Sequence, residues 1–238
     1  MSRILDPWTR ECLAGLGVGQ GWACLELGSG NGSIVEWLCD AVGPSGSVTA
    51  ADINTVLLDP RAEPHGAAAG CAHRRVARDA YDLVTCRALL PQIAEYAPAV
   101  LARMAAAVKP GGWLLVQEPD FHLAPTTEPA AWATTWKALI EWGHANGVDW
   151  LIGRTLPSMI SKLGLGRPQA KTDVQNIRGR DRGALYFRLF FAEVRDRVVD
   201  SGLLDAATFD AAAGLLDDPD YWTQCWMMTA VWARKPVA

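Results

Sequence analysis

CLELGSGNGSI, running from Cys24 to Ile34, is the stretch on which the fold turns. Cys24, Leu25 and Leu27 are apolar and follow Trp22, which reads as a short buried strand. Gly28, Gly30 and Gly32 then crowd into five residues, where a backbone free of Cβ atoms can turn sharply and let a ligand approach. Beyond them Ile34, Val35, Trp37, Leu38, Ala41 and Val42 fall on one face of a helix predicted over Ser33 to Val42. Ser33 is the expected cap, and Gly43-Pro44 the stop. Strand, glycine loop and helix in that order build a site in which helix-end amides face a bound group.

The glycine spacing narrows the ligand. A dinucleotide fingerprint runs G-x-G-x-x-G, and Ser33 stands where its third glycine belongs. Glu26 lies two residues before the first glycine, where a carboxylate would repel a pyrophosphate and suit a cationic ligand. An NAD-dependent oxidoreductase is therefore disfavoured. An acid, an apolar residue and then G-x-G-x-G resembles the first motif of the class I S-adenosylmethionine (SAM) methyltransferases, and ELGSGNG matches it throughout. The resemblance implies an α/β fold: a Rossmann-like seven-stranded mixed sheet flanked by helices. It also implies SAM as cofactor, held by Glu26, Gly28, Ser29, Gly30 and Gly32.

The next segments extend the match. SVTAADI, Ser47 to Ile53, reads as a second strand ending in Asp52, about twenty residues past the glycines, where an acid accepts hydrogen bonds from ribose hydroxyls. In the resembled family this acid holds the SAM ribose and its neighbour, here Ile53, packs on the adenine. From Asn54 to Ala80 the pattern is weak: Leu57 and Leu58 start a short helix that Pro60 and Pro64 break. Asp79 stands almost against the next strand, Tyr81 to Cys86, and is carried as the adenine contact that relatives place after a third strand. YDLVTCRALL resembles the family's fourth-strand motif, which puts Cys86 and Arg87 beside the cofactor's methionine end. A helix over Ala97 to Val108, then Lys109-Pro110-Gly111-Gly112, then a strand from Trp113 to Glu118 is a further family hallmark.

Around this core, Asp6-Pro7 is expected to open an N-terminal helix through Gly15, with Asp6 as its cap. Relatives carry further helices ahead of this point that help cover the cofactor. After the core, helices are predicted over Trp132 to Asn146, Thr155 to Leu163, Leu185 to Val199 and Asp205 to Leu216, with strands over Lys171 to Arg178 and Trp222 to Arg234. In the third of these helices Leu189, Phe190, Val194, Arg197 and Val198 are spaced for the buried face. The expected organisation is one domain over 1–238: an N-terminal helix in 1–21, a SAM-binding core in 22–120, helical lid insertions in 121–170 and 180–218, and a final strand in 219–238.

Composition bounds the partners. Of 238 residues half are hydrophobic, the net charge is −4 and the pI is about 5.6, which argues against a nucleic-acid binder relying on a broad basic face. His65, His73, Arg74, Arg75 and Arg78 read as solvated loop charges. No apolar run approaches a membrane span and no signal pattern opens the chain, so a cytoplasmic location is expected. The six cysteines form no C-x-x-C pair and no metal-ligand spacing; no metal is expected, and the thiols read as reduced. Most of the eleven tryptophans read as core, some as pocket lining. The expected acceptor is a small, largely apolar metabolite held between the sheet edge and the helices at 132–146 and 185–199. Candidate bases are Asp120 and His122, just past the fifth strand, and His144 on an inserted helix. A SAM-binding protein that transfers no methyl stays open beside the enzyme.

Overall fold

A computed structural model describes residues 2–52 and 76–237. Four strands lie parallel: β1 (Ala23–Leu27), β2 (Ser47–Ala51), β3 (Tyr81–Arg87) and β4 (Val108–Asp120). Two more, β5 (Gln169–Arg178) and β6 (Trp222–Arg234), close the sheet, with β6 antiparallel to both β4 and β5. The order is β2-β1-β3-β4-β6-β5. The class is the expected Rossmann-like α/β fold, corrected in one respect: among the described residues the sheet has six strands, not seven. Ile53, His65, His73, Arg74 and Arg75 lie outside the described residues, as does nearly all of the stretch that would supply a strand ahead of β3.

Helices cover both faces, because strands buried on both sides read as nearly continuous apolar runs. On one face α1 (Ser2–Gly15) and α2 (Ser33–Val42) bury Leu13, Ile34, Leu38 and Val42 against Cys24, Leu83 and Leu115. On the other, α3 (Ala97–Ala107) and the short α5 (Leu156–Ile160) bury Leu101, Met104, Leu156 and Ile160 against Leu25, Val84 and Val116. A third core is rich in aromatic rings. It joins α4 (Ala130–Ala145), α6 (Arg182–Asp200), α7 (Ala206–Leu215) and β6 through Trp132, Trp136, Phe187, Phe191 and Trp226.

Local corrections have plain causes. Asp6 does not cap α1, which starts at Ser2 and carries Pro7 inside it; Asp6 forms an ion pair instead. Ser33 does not cap α2, because Gly32 takes the cap position in a left-handed conformation that leaves Ser33 as the first helical residue. The buried stripe of α6 is Phe187, Phe191, Val194 and Val198, while Leu189 is 65% exposed. The expected stripe was rotated because Leu189 and Arg197 follow helical spacing as well as the aromatic pair does. By contrast Asp205, where the last predicted helix was to begin, caps α7, accepting from the Thr208 amide at 2.9 Å.

Candidate functional site

The C-terminal ends of β1, β2 and β3 meet at the glycine loop. Gly28 has φ +71°, and a Cβ there would come within 3.2 Å of Leu89 Cδ1, so only glycine lets the loop lie against the turn after β3. Gly30, also left-handed at φ +54°, donates its amide to Asp52 Oδ2 at 2.7 Å. Asp52, directly after β2, is thereby fixed to the loop it was expected to serve. Glu26 is 4% exposed, and its Oε2 has no hydrogen-bond partner among the described residues; the buried Ser29 Oγ has none either. Burial pushes the Glu26 carboxyl up to about 8, although nearby Arg87 pulls it back down. A buried carboxylate with an oxygen to spare is what a ligand carrying an ammonium group would satisfy, so these residues fit the SAM that the motif implies.

The remaining cofactor candidates divide. Arg87 reaches this edge, but its guanidinium is engaged by α1: Nη1 lies 2.9 Å from Asp6 Oδ1 and donates to Thr9 Oγ1 at 3.0 Å. Cys86 turns into the core beneath, 3.7 Å from Glu118 Oε1, and burial raises its thiol well above the ordinary range. Asp79 is not brought here. It sits ahead of the N-terminal end of β3, on the opposite edge, where Lys235 Nζ donates to it at 2.7 Å. A strand's two ends lie on opposite edges of the sheet, and adjacency in sequence to the wrong end explains the failure.

At the end of β4 the chemistry changes. The Asp120 side chain is fully buried and takes a two-point contact from Arg154, Nε to Oδ2 and Nη2 to Oδ1, both at 2.9 Å. The amides of Arg154 and His122 add bonds of 3.0 and 2.9 Å. Burial pushes this carboxyl up, but the arginine and the amides outweigh it and hold it below the usual range. Asp120 is thus saturated and unsuited to take a proton. Its further contact is with His122 Nδ1, at 3.2 Å. That bond assigns the proton to Nδ1 and leaves Nε2 as the acceptor. His122 and His144 both line a cavity of about 540 Å³ walled by Ile140, Trp150, Leu151 and Arg154.

That cavity lies on a different face of α4 from the expected one. Between α4 and α6, rings fill the space: Phe121 stacks on Trp136 at 4.8 Å, and Phe187 meets Trp136 at 5.7 Å and Trp226 at 5.6 Å. No residue of α6 lines the opening. A turn of chain connects the two halves of the site. Leu89 abuts Gly28, the amides of Leu89 and Leu90 donate to Glu118 Oε1, and the Pro91 carbonyl accepts from Asp149, which lines the cavity. Sequence reasoning missed Glu118 and Arg154 as parts of this network. Glu118 carried a signal, an acid inside a run otherwise buried; Arg154 carried none. Among the described residues no cluster of His, Cys, Asp or Glu could hold a metal ion, and no helix is long and apolar enough to cross a membrane.

Comparison with known proteins agrees with this geometry. A family described as "Methyltransferase domain" matches residues 10–165, more than half the chain. A ubiquinone/menaquinone biosynthesis C-methyltransferase of Francisella philomiragia is 28% identical over 142 residues, 56% of each chain; the chain therefore spans about half the length of that curated relative. The phosphoethanolamine N-methyltransferase 2 of Haemonchus contortus, solved with phosphomonomethylethanolamine and S-adenosylhomocysteine, superposes with TM-score 0.60 at 15% identity. It covers 96% of this chain and 53% of the other. The [4+2]-cyclase SpnF shares the fold at TM-score 0.57 and 16% identity, over 98% of this chain and 81% of its own. With its glycine loop, the acid after β2 and the sheet order in place, the chain belongs to the methyltransferase-domain family, in the class I, SAM-dependent form.

Proposed function

We propose that the protein transfers a methyl group from SAM to a small, largely apolar acceptor, aromatic rings included, seated in the cavity at the end of β4. When bound, SAM supplies an electrophilic methyl on a sulfonium sulfur. The chain's own residues hold it and shape what meets it. Asp52 accepts from the ribose, the left-handed glycine loop lets the backbone approach, and Glu26 offers its spare oxygen to the ammonium. The observation that carries the reading is the turn Ala88–Pro91, which touches both the glycine loop and the cavity rim. The two sites are therefore neighbours, as a direct transfer between bound partners requires.

Within the cavity Ile140, Trp150 and Leu151 suit a flat apolar ring, and His122 Nε2 is free to take the proton of a hydroxyl or amine nucleophile. Asp120 acts through His122, fixing its tautomer. His144, from α4, is the second candidate on the same wall. The acidic pI supports a small acceptor over nucleic acid. The test is incubation of purified protein with SAM and a panel of phenols, aryl amines and quinols, with S-adenosylhomocysteine and methylated product read by mass spectrometry. Product formation on one chemical class supports the reading. Methylation of bulk tRNA with a steep loss as salt rises overturns it. SAM binding with no turnover across the panel favours the non-transferring alternative, since one fold serves more than one reaction.

A further inference from the structure

Arg87 and Gln117 are cross-strand partners on β3 and β4, and Gly28 follows Leu27, the last residue of β1 paired with β3. Gly28, Arg87 and Gln117 therefore form one row across three strands at the C-terminal edge, about 10 Å from end to end at roughly 4.8 Å per strand. Paired residues share a face, so Gln117 lies with Arg87 on the face that α1 covers. Glu26, paired with Thr85 one step back, shares it too.

Gln117 is wholly buried, and neither Nε2 nor Oε1 has a hydrogen-bond partner among the described residues. Both ends of the amide are unmet. Leaving such a group unmade is destabilising, and a leucine of similar size would avoid the cost. Trp8 Nε1 and Glu26 Oε2 are unmet in the same way. Arg87, the cation expected beside the cofactor's methionine end, already answers Asp6 and Thr9.

We propose that Gln117 is a cofactor-positioning residue whose amide holds the amino-acid end of SAM, Nε2 donating to the α-carboxylate while Glu26 accepts from the ammonium. Gln117 thereby takes the part that Arg87 cannot. This rests on SAM being the cofactor. The experiment is titration calorimetry and thermal unfolding of wild type and Gln117→Leu with two probes. S-adenosylhomocysteine has the amino-acid end; 5′-methylthioadenosine shares the adenosine and sulfur but lacks it. Gln117→Leu should weaken S-adenosylhomocysteine roughly tenfold to a hundredfold. It should leave 5′-methylthioadenosine within about twofold and raise the ligand-free Tm, because two unmet polar atoms are gone. Equal losses for both probes would mark a merely structural role and overturn the proposal, as would unchanged affinity for S-adenosylhomocysteine. Gln117→Met replaces the leucine variant if that one does not fold. Wild type binding neither probe would instead sink the cofactor assignment itself.

Discussion

The two halves of the site handle buried polarity in opposite ways. Around the glycine loop, Glu26, Ser29 and Gln117 are buried with polar atoms unmet. At the end of β4, Asp120 is buried more completely than Glu26 yet accepts from Arg154, from two backbone amides and from His122. The first arrangement waits for charges that a ligand brings. The second is complete around Asp120 itself, and its product is an oriented histidine at a cavity mouth. The unmet atoms on this side, Trp150 Nε1 and Glu118 Oε2, lie outside the Asp120 contacts. The comparison teaches that burial alone does not identify a working carboxylate; the count of satisfied lone pairs does.

The sharpest break would come at His122. His122→Ala should lower turnover by about 10²–10⁴ under saturating SAM and acceptor, with cofactor affinity unchanged. His144→Ala should cost less than about tenfold. Equal, few-fold effects with an unmoved pH profile would leave alignment alone as the source of rate. The next effect tests the coupling of α1 to the cofactor edge. The Arg87–Asp6 pair has side chains only 10% and 11% exposed. Arg87→Met strands a buried carboxylate, a loss of up to about 3–5 kcal/mol for pairs of this kind. Chemical denaturation should show it, together with weaker cofactor binding as α1 loosens. A variant as stable as wild type would make the pair incidental.

Asp52→Ala comes third. It removes both the expected ribose contact and the bond to the Gly30 amide. A loss of about 1.5–3 kcal/mol in SAM affinity is expected by calorimetry, with acceptor KM unmoved. Gly28→Ala should do comparable harm, since φ +71° strains any side chain and Leu89 stands 3.2 Å away. An intact affinity in both variants would dissolve the distinction between the two halves.

How much of this was legible in the sequence depended on whether the controlling contacts are local. ELGSGNG announced its strand, loop and helix because glycine conformation and hydrophobic period act within a few residues, and α2 came out as Ser33–Val42 as expected. Asp52 was legible because strand ends recur at a fixed distance from the loop. Asp79 failed because it stands next to β3 in sequence but at that strand's N-terminal end, on the edge opposite the glycine loop, where Lys235 binds it. That the Asp120 carboxyl is occupied was not legible, since its partner Arg154 lies 34 residues on, and no spacing rule links them. The aromatic helices were found, yet which faces pack could not be read: in α4 and α6 apolar residues circle most of the helix, and ring-to-ring fit makes the choice.

The smallest expected effect is the most specific. Burial drives the Glu26 carboxyl up to about 8, with Arg87 opposing and Asp6 and Asp52 adding to the rise. Burial likewise lifts Glu118 to about 8, against the amides of Leu90 and Leu89. Both values lie above the ordinary 4.5, so the folded protein binds more protons than the unfolded chain between those limits. Stability from these groups is then full below about pH 4.5 and is lost as pH rises toward 8. The ligand-free Tm should fall across that window, and Glu26→Gln and Glu118→Gln should each flatten part of the slope. Ligand separates the two acids. An ammonium beside Glu26 favours its carboxylate, so binding S-adenosylhomocysteine at pH 7 should expel up to about one proton, seen as a binding enthalpy that differs between phosphate and Tris buffers. Glu118, whose Oε1 is held by the Leu89 and Leu90 amides, should keep its proton. The release should therefore vanish in Glu26→Gln and persist in Glu118→Gln. The reverse pattern would mean that Glu118, and not Glu26, answers the ligand's charge, and the unmet oxygen at the glycine loop would need another purpose.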